Sequence, residues 1–400
     1  MSVTAVTLDG SPLALADVVQ NITITHGRPD ISNAGQASTC TITVLLDPTD
    51  AIPAAIGDSL TISAYSTPRF TGTVTAVTLN HDGSAVGHVT RCDITATGYL
   101  DRLDYLVTGT AGFVEETFED RATAILAATG LTYAVSNDDG TVLLAEAAEA
   151  VTVREYLQTL CQTVGATMCD LPDGTILLET YTRRSSNYTG GSWGMADGTW
   201  ADNTQTWGTA REPLELPSDG VVWEPTWYLR QETVINDVTV AYGSNDPKDE
   251  TNDTDAASIT AYGRRAVYLD TSIKNLADAQ ARAASILTAQ ALPHWNIGSV
   301  TVLVDNLDAG TRAEVLALES GDRVILNGLP QAAPDGLYFG VVEGWTETHT
   351  PDGHRITLNL SDPRFSYAMT DWAGVDIALA WSGVNVNVTW SDIVLATDLV

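Results

Sequence analysis

Asn21-Ile22-Thr23-Ile24-Thr25-His26-Gly27 and Asp237-Val238-Thr239-Val240-Ala241-Tyr242-Gly243 are two alternating runs of the kind that form half-buried strands. The likeness continues. Thr41-Ile42-Thr43-Val44-Leu45-Leu46-Asp47 resembles Ser299-Val300-Thr301-Val302-Leu303-Val304-Asp305, and Gly57-Asp58-Ser59-Leu60 matches Gly321-Asp322-Arg323-Val324. Phe70-Thr71-Gly72-Thr73-Val74 lines up with Tyr338-Phe339-Gly340-Val341-Val342. The turn His81-Asp82-Gly83 corresponds to Pro351-Asp352-Gly353, and Asp93-Ile94-Thr95 to Arg355-Ile356-Thr357. Turn chemistry alone makes any one block recur. Six blocks in the same order predict a duplicated β-domain.

Between the first two blocks the second copy holds 55 residues where the first holds 13. That insertion contains a helix over Asn275–Ala291, with Asn275 placed to cap it and Pro293 after its end. Between the copies lies a stretch of α/β texture. Thr152-Val153-Arg154-Glu155 is a capping-box pattern opening a helix whose apolar stripe is Val153, Tyr156, Leu157, Leu160, Cys161 and Val164, with Gly165 as its stop. A shorter helix spans about Glu119 to Ala128. Residues 188–230 form a Gly/Thr/Trp-rich connector in which Trp193, Trp200 and Trp207 recur every seven positions. The intervening Gly, Asp, Asn and Thr are poor helix formers, so a coiled coil is not expected.

The expected fold is mainly β with an α+β insertion: two related β-barrels, a small α/β module and a β-rich, Trp-containing C-terminal tail. The expected boundaries are 1–108 for the first barrel, 109–187 for the module, 188–230 for the connector, 231–365 for the second barrel and 366–400 for the tail.

The chain has 400 residues with 51 acidic and 19 basic side chains, a formal charge of −32. Such a surface repels phosphate backbones, which excludes a duplex-gripping protein. No apolar stretch is long enough to span a membrane, and no secretory leader is visible at the N-terminus. Cys40 and Cys92 read as small buried side chains. Cys161 and Cys169 match no zinc or redox spacing, and their pairing stays open. The histidines form no HxH or HExxH pair, and His349 and His354 flank a turn, so a solvated hairpin rim is expected there and no metal site. No GxSxG, Walker or zinc-hydrolase motif appears, and among 51 acids a glycosidase-like carboxylate pair arises by chance. No enzyme, catalytic residue or cofactor is expected.

The ordered blocks resemble the baseplate hub or tail-tip hub of tailed bacteriophages and related injection systems, a family of minor tail proteins. The strings that carry the likeness are Ile56-Gly57-Asp58 with Phe70-Thr71-Gly72-Thr73-Val74, the Asn275–Ala291 helix, Ser320-Gly321-Asp322-Arg323-Val324 and Gly340-Val341-Val342-Glu343-Gly344. The match covers about residues 1–365. It implies a structural virion protein at the tail tip, made in the host cytoplasm, whose two tube-type barrels per chain form a homotrimeric, pseudo-sixfold ring. Such a symmetry adapter joins a hexameric tail tube or distal tail ring to a threefold spike or fibre. Genome DNA passes through its channel during ejection without specific binding. A sixfold distal tail ring protein and a receptor- or carbohydrate-binding tail-tip protein are the alternatives.

Outside the hub pattern, Trp372, Trp381 and Trp390 recur every nine positions, each at the start of an alternating run. With Trp193, Trp200 and Trp207 they are the candidate partner-docking aromatics, for another tail-tip component, a symmetry mate or a glycan.

Overall fold

The computed structural model describes residues 3–13, 19–29, 34–47, 50–81, 90–135, 140–180, 214–217, 222–223, 227–229, 233–293, 295–327, 337–351 and 353–361. The fold is mostly β. The first barrel is built from β1 (Val3–Leu8), β2 (Ser11–Pro12), β3 (Val19–Gly27), β4 (Thr39–Leu46), β5 (Ser59–Ala64), β6 (Thr67–His81) and β7 (Thr90–Thr97). Alternation decides which face turns inward: on β4, Cys40, Ile42, Val44 and Leu46 are buried and join Ile22, Ile24, Leu60, Ile62, Phe70 and Ile94 in one core.

The module follows, with β8 (Val107–Thr108), β9 (Glu116–Thr117), α1 (Phe118–Ala127), β10 (Tyr133–Val135), β11 (Val142–Leu143), β12 (Val151–Thr152), α2 (Val153–Val164), β13 (Thr167–Asp170) and β14 (Ile176–Glu179). The stripe read from the sequence is what buries: Val153, Tyr156, Leu157, Leu160 and Cys161 of α2 meet Phe118, Ile125 and Leu126 of α1. Thr152 Oγ1 accepts from the Glu155 amide at 3.2 Å, and Gly165 closes the helix in the left-handed region at φ 76°. All four cysteines are free and buried, and burial pushes the Cys161 thiol up to about 12.

The second barrel uses β15 (Leu214–Pro217), β16 (Val222–Trp223) and β17 (Trp227–Leu229), strands drawn from the stretch expected to be a connector. After them come β18 (Asp237–Tyr242), β19 (Asp249–Thr254), α3 (Ala256–Tyr262), β20 (Ala266–Asp270) and α4 (Leu276–Gln290). The chain then returns through β21 (Trp295–Ile297), β22 (Ser299–Leu303), α5 (Ala309–Leu316), β23 (Arg323–Asn327), β24 (Leu337–Thr350) and β25 (Gly353–Ser361). Both barrels share one curled sheet, in the order β16-β22-β25-β24-β3-β4-β7-β6-β5-β1-β2, with β23 and β15 branching from β24.

The duplication is visible in the register. Leu60 lies opposite Gly72, and Val324 opposite Gly340. The long strands bulge at matching places, between Val74 and Ala76 and between Val342 and Gly344. The Gly-Asp corners are the same object twice. Gly57 N donates to Val74 O at 2.9 Å and Gly321 N to Val342 O at 2.8 Å, with both glycines at positive φ. Asp58 accepts from Ala55 N, and Asp322 from Glu319 N, each at 2.8 Å.

Two blocks need correction. Asp237–Tyr242 is not the counterpart of β3. It is the middle strand of a separate sheet, β19-β18-β20, which shares an apolar core with α4. Alternating Thr and Val report a pleated, half-buried surface and nothing about which sheet owns it. The true counterpart is the β16–β17 segment. Trp223 faces Thr301 as Asn21 faces Thr43, and Trp227 faces Ile297 as Thr25 faces Thr39. The last block is two residues out of register: Ile42 faces Ile94 while Val300 faces Leu358, so Ile94 matches Leu358 rather than Ile356. A two-residue slip leaves every side chain on its own face, which is why alternation could not reveal it. At the start of α4, Asn275 occupies the cap position, but its amide donates to Asp278 Oδ2 at 3.2 Å instead of capping the backbone.

Candidate functional site at the seam of the two barrels

Where the barrels meet, β3 and β24 pair antiparallel from Gly27 opposite Gly344 to Ile22 opposite His349. The close approach depends on both glycines. A Cβ at Gly27 would stand 2.4 Å from Glu343 O, and one at Gly344 would stand 2.4 Å from His26 O. Trp345, Glu347 and His349 of β24 alternate inward, so a carboxylate and an imidazole occupy positions that carry apolar side chains in an ordinary strand.

Their charges are matched across the seam. Arg69 of β6 grips Glu347 Oε2 through Nε and a terminal nitrogen, both at 2.7 Å, and also donates to Leu316 O on α5. Glu347 Oε1 accepts from His349 Nε2 at 2.7 Å and His354 Nε2 at 2.9 Å, and the two imidazoles stack with centroids 4.0 Å apart. Arg28, just after β3, pairs with Glu343 at 2.6 Å, and Ser361 donates to the other carboxylate oxygen. Burial would raise the Glu347 carboxyl, but Arg69 and the two histidines outweigh it and hold it well below the usual carboxylate range. Burial lowers His354 and His26 in spite of neighbouring carboxylates.

His349 and His354 are therefore not a solvated rim; both are buried in this cluster. With Glu347 they bring three possible ligand atoms within 4.8 Å. The donors are already committed, since Glu347 is neutralised by Arg69, and a divalent cation seated there would face a buried guanidinium.

His26 links the seam to the module. Its Nε2 lies 2.7 Å from Arg69 O and its Nδ1 2.5 Å from Ser38 Oγ, which in turn lies 2.5 Å from Asp170 Oδ1 on β13. These are the residue types of a nucleophilic relay in the wrong order. Serine stands between imidazole and carboxylate, the far imidazole nitrogen faces a backbone carbonyl, and all three side chains are buried. The arrangement holds three elements together and presents no nucleophile. A third tie is the β5–β6 hairpin. Tyr65 and Ser66, both at positive φ, place Tyr65 against barrel two, where its hydroxyl donates to Asp305 Oδ1 at 3.0 Å under the Arg312 guanidinium.

Among solved structures, the 43 kDa tail protein of prophage MuSo2 from Shewanella oneidensis superposes with a TM-score of 0.61 at 11% identity, over 91% of this chain and 99% of that one. A tail protein from Neisseria meningitidis MC58 gives 0.61 at 15% identity, over 91% and 98%. This chain has the fold of phage tail proteins. Prophage tail protein gp18 from Listeria monocytogenes EGD-e shares the tail-protein fold more loosely, with a TM-score of 0.52 at 12% identity over 89% and 94%. No family model and no curated protein matches the sequence.

The aromatics expected to dock partners, Trp193, Trp200, Trp207, Trp372, Trp381 and Trp390, lie outside the described residues. The structure instead assembles Arg28, Arg69 and Glu347, which belong to none of the strings read from the sequence, with Glu343, which lies in one of them. The signal was present in Trp345-Thr-Glu347-Thr-His349, a strand whose inward phase carries polar residues.

Proposed function

We propose that the chain is a structural component of a phage tail, the hub of a tail tip or baseplate. Three copies form a ring of six barrels that joins a sixfold tube or distal ring to a threefold spike or fibre. The observation that carries this reading is the edge-to-edge union of two barrels with the same Gly-Asp corner, bulge and strand order in one chain. A ring closes when similar surfaces repeat head to tail, and a chain that already contains one such junction needs only the same junction between copies. The tail-protein fold supports the setting. The β16–β17 correspondence favours extending the second barrel to include 214–229, with 233–291 inserted as an α/β unit.

The formal charge suits a passage for DNA. A trimer carries −96 (3 × −32), and carboxylates facing the bore repel a phosphodiester chain and let it slide. The central fibre or spike and the tube ring are the proposed partners, and the six tryptophans of the connector and tail the proposed docking residues. No catalytic step is assigned.

Native mass spectrometry across a concentration series tests the assembly. A species near three times 42.5 kDa is expected. A hexamer would move the reading to a distal tail ring. A monomer at every concentration, with no ring formed on added tail-tube protein, would refute the hub.

A further inference from the structure

The inserted unit, 233–291, belongs to barrel two by its chain but is seated on the module. It departs after Leu229 and returns before Trp295, two residues that face one another across β17 and β21. Its two connections therefore leave barrel two side by side, as in a hinge. The unit has its own sheet, β19-β18-β20, and its own core, in which Val238, Val240 and Ile273 pack with Ala283 and Ile286 of α4. Among the described residues that sheet shares no strand with barrel two.

The ties run the other way. Residues 272–274 lie along β11, on the side away from β9. Leu144 N donates to Ser272 O at 2.9 Å and Lys274 N to Val142 O at 3.0 Å, with Leu143 opposite Ile273 between them. Lys274 Nζ meets Glu115 Oε1 at 2.6 Å. On α4, Arg282 donates to Gln162 O at 3.4 Å, a cation at the last turn of α2, and a Cβ on Gly165 would stand 2.5 Å from its Nη1. The seat is built within the module: the buried Arg121 donates to Val114 O and Leu144 O, both at 2.7 Å, and pairs with Glu116 and Glu146 at 3.0 Å. The module in turn is fixed to barrel one through Asp170 and Ser38.

We infer that the inserted unit is a latch, hinged on barrel two and seated on the module, which ties the barrels a second time and swings free as one body. The seam is the stronger tie, with a continuous strand pairing and two buried ion pairs. The latch has two backbone bonds, the Arg282 contact and one ion pair whose side chains are 42% and 49% exposed, which adds little. It therefore opens before the seam or either core, leaving β11 with a bare edge and barrel two held by the seam alone. The latch is a property of the single chain and stands whether or not a ring forms.

Hydrogen exchange read by mass spectrometry tests it. Swinging exposes the docking amides of Leu144 and Lys274, while β18 stays paired on both sides. Fragments carrying the docking amides should exchange at least roughly tenfold faster than fragments from β18. Leu143 and Ile273 form the non-hydrogen-bonded kind of antiparallel pair, with Cα atoms about 4.5 Å apart, so Leu143→Cys/Ile273→Cys should close a disulfide under mild oxidation. That bond should abolish the tenfold difference, and reductant should restore it. Lys274→Pro removes one of the two backbone bonds and should speed exchange at Leu144 while leaving β18 unchanged. Three results overturn the latch: docking amides as slow as β18, β18 exchanging as fast as the docking amides and ahead of β3, or fast exchange at Leu144 that persists in the disulfide form.

Discussion

Replacing Arg69 by methionine removes the cation that neutralises Glu347 while keeping the volume of the side chain. Both partners are buried, so the loss is not screened by solvent. Two costs follow. Leu316 O loses its donor, worth about 1 kcal/mol at any pH. Glu347 loses its counter-charge, and the cheapest remedy is a proton on one of the two imidazoles already touching Oε1. That imidazole's folded pKa then stands above the ordinary value near 6.5. A group raised on folding contributes stability that is complete below 6.5 and lost as pH rises. At roughly 1.4 kcal/mol per unit, an imidazole kept protonated through pH 8.5 makes the variant lose up to about 2.3 kcal/mol more at pH 8.5 than at pH 6.5, where the unfolded imidazole is already half protonated. This stays under the roughly 3–5 kcal/mol expected for a buried charge left bare. Urea unfolding followed by intrinsic tryptophan fluorescence from pH 6 to 8.5 measures the difference from the parent chain. The double variant Arg69→Met/Glu347→Leu, with no charge left to neutralise, should show no such slope. A difference between Arg69→Met and parent that is flat across this range would refute the account of the cluster.

The parent chain should lose stability as pH falls below about 6.5, because His26 and His354 are held neutral in the fold and take up protons on unfolding; a midpoint unchanged between pH 7 and pH 5 would contradict it. Gly344→Ala should cost about 3 kcal/mol, since its Cβ meets the His26 carbonyl, whereas Gly57→Ala, with nothing within 4 Å, should cost only its backbone strain of about 1 kcal/mol. The matched corners predict matched losses: Asp58→Ala and Asp322→Ala should each cost about 1 kcal/mol or more in chemical denaturation, the buried Asp322 being the larger.

What the sequence revealed and what it hid follow from how each feature is specified. The Gly-Asp corners were legible because a backbone at positive φ and an aspartate binding the amide three residues back demand those residue types at that spacing. Helix α2 was legible because a cap, a stripe and a stop all agree along 14 residues, from Thr152 to Gly165. The counterpart of β3 was hidden because a strand carries only a period of two. The second copy's version, Val222–Leu229, lacks the alternation of threonine with β-branched apolar residues that Val238-Thr239-Val240 happens to share. The hairpin tip at Tyr65-Ser66 was hidden for a different reason, since its turn is built without the Asn-Gly or Gly residues that mark such turns. For the histidines the two signals conflict: the turn Pro351-Asp352-Gly353 points to a rim, and the phase of the strand points inward. Counted from Trp345, His349 falls inward with Glu347.

The same period-two ambiguity bears on why the seam holds ion pairs at all. Replacing a buried pair with apolar side chains is often neutral in stability, so strength is a poor reason for Arg28–Glu343 and Arg69–Glu347. Register is a better one. Sliding β24 by two residues along β3 would keep every side chain on its face, so packing pattern alone does not forbid it. The ion pairs do forbid it. Glu343 and Glu347 are four residues apart and each meets an arginine fixed in the first barrel, so a slip of two strands both carboxylates. Cross-linking reads this directly, because Thr25 and Thr346 face one another with hydroxyls 3.5 Å apart. In the parent chain Thr25→Cys/Thr346→Cys should couple and Thr25→Cys/Thr348→Cys should not. With Arg28 and Arg69 changed to methionine and both glutamates to leucine, the chain should still fold, and the slipped pair should begin to couple. If the neutralised seam keeps the native pair alone, the register is set by Gly27, Gly344 and the bulge, and the ion pairs have some other role.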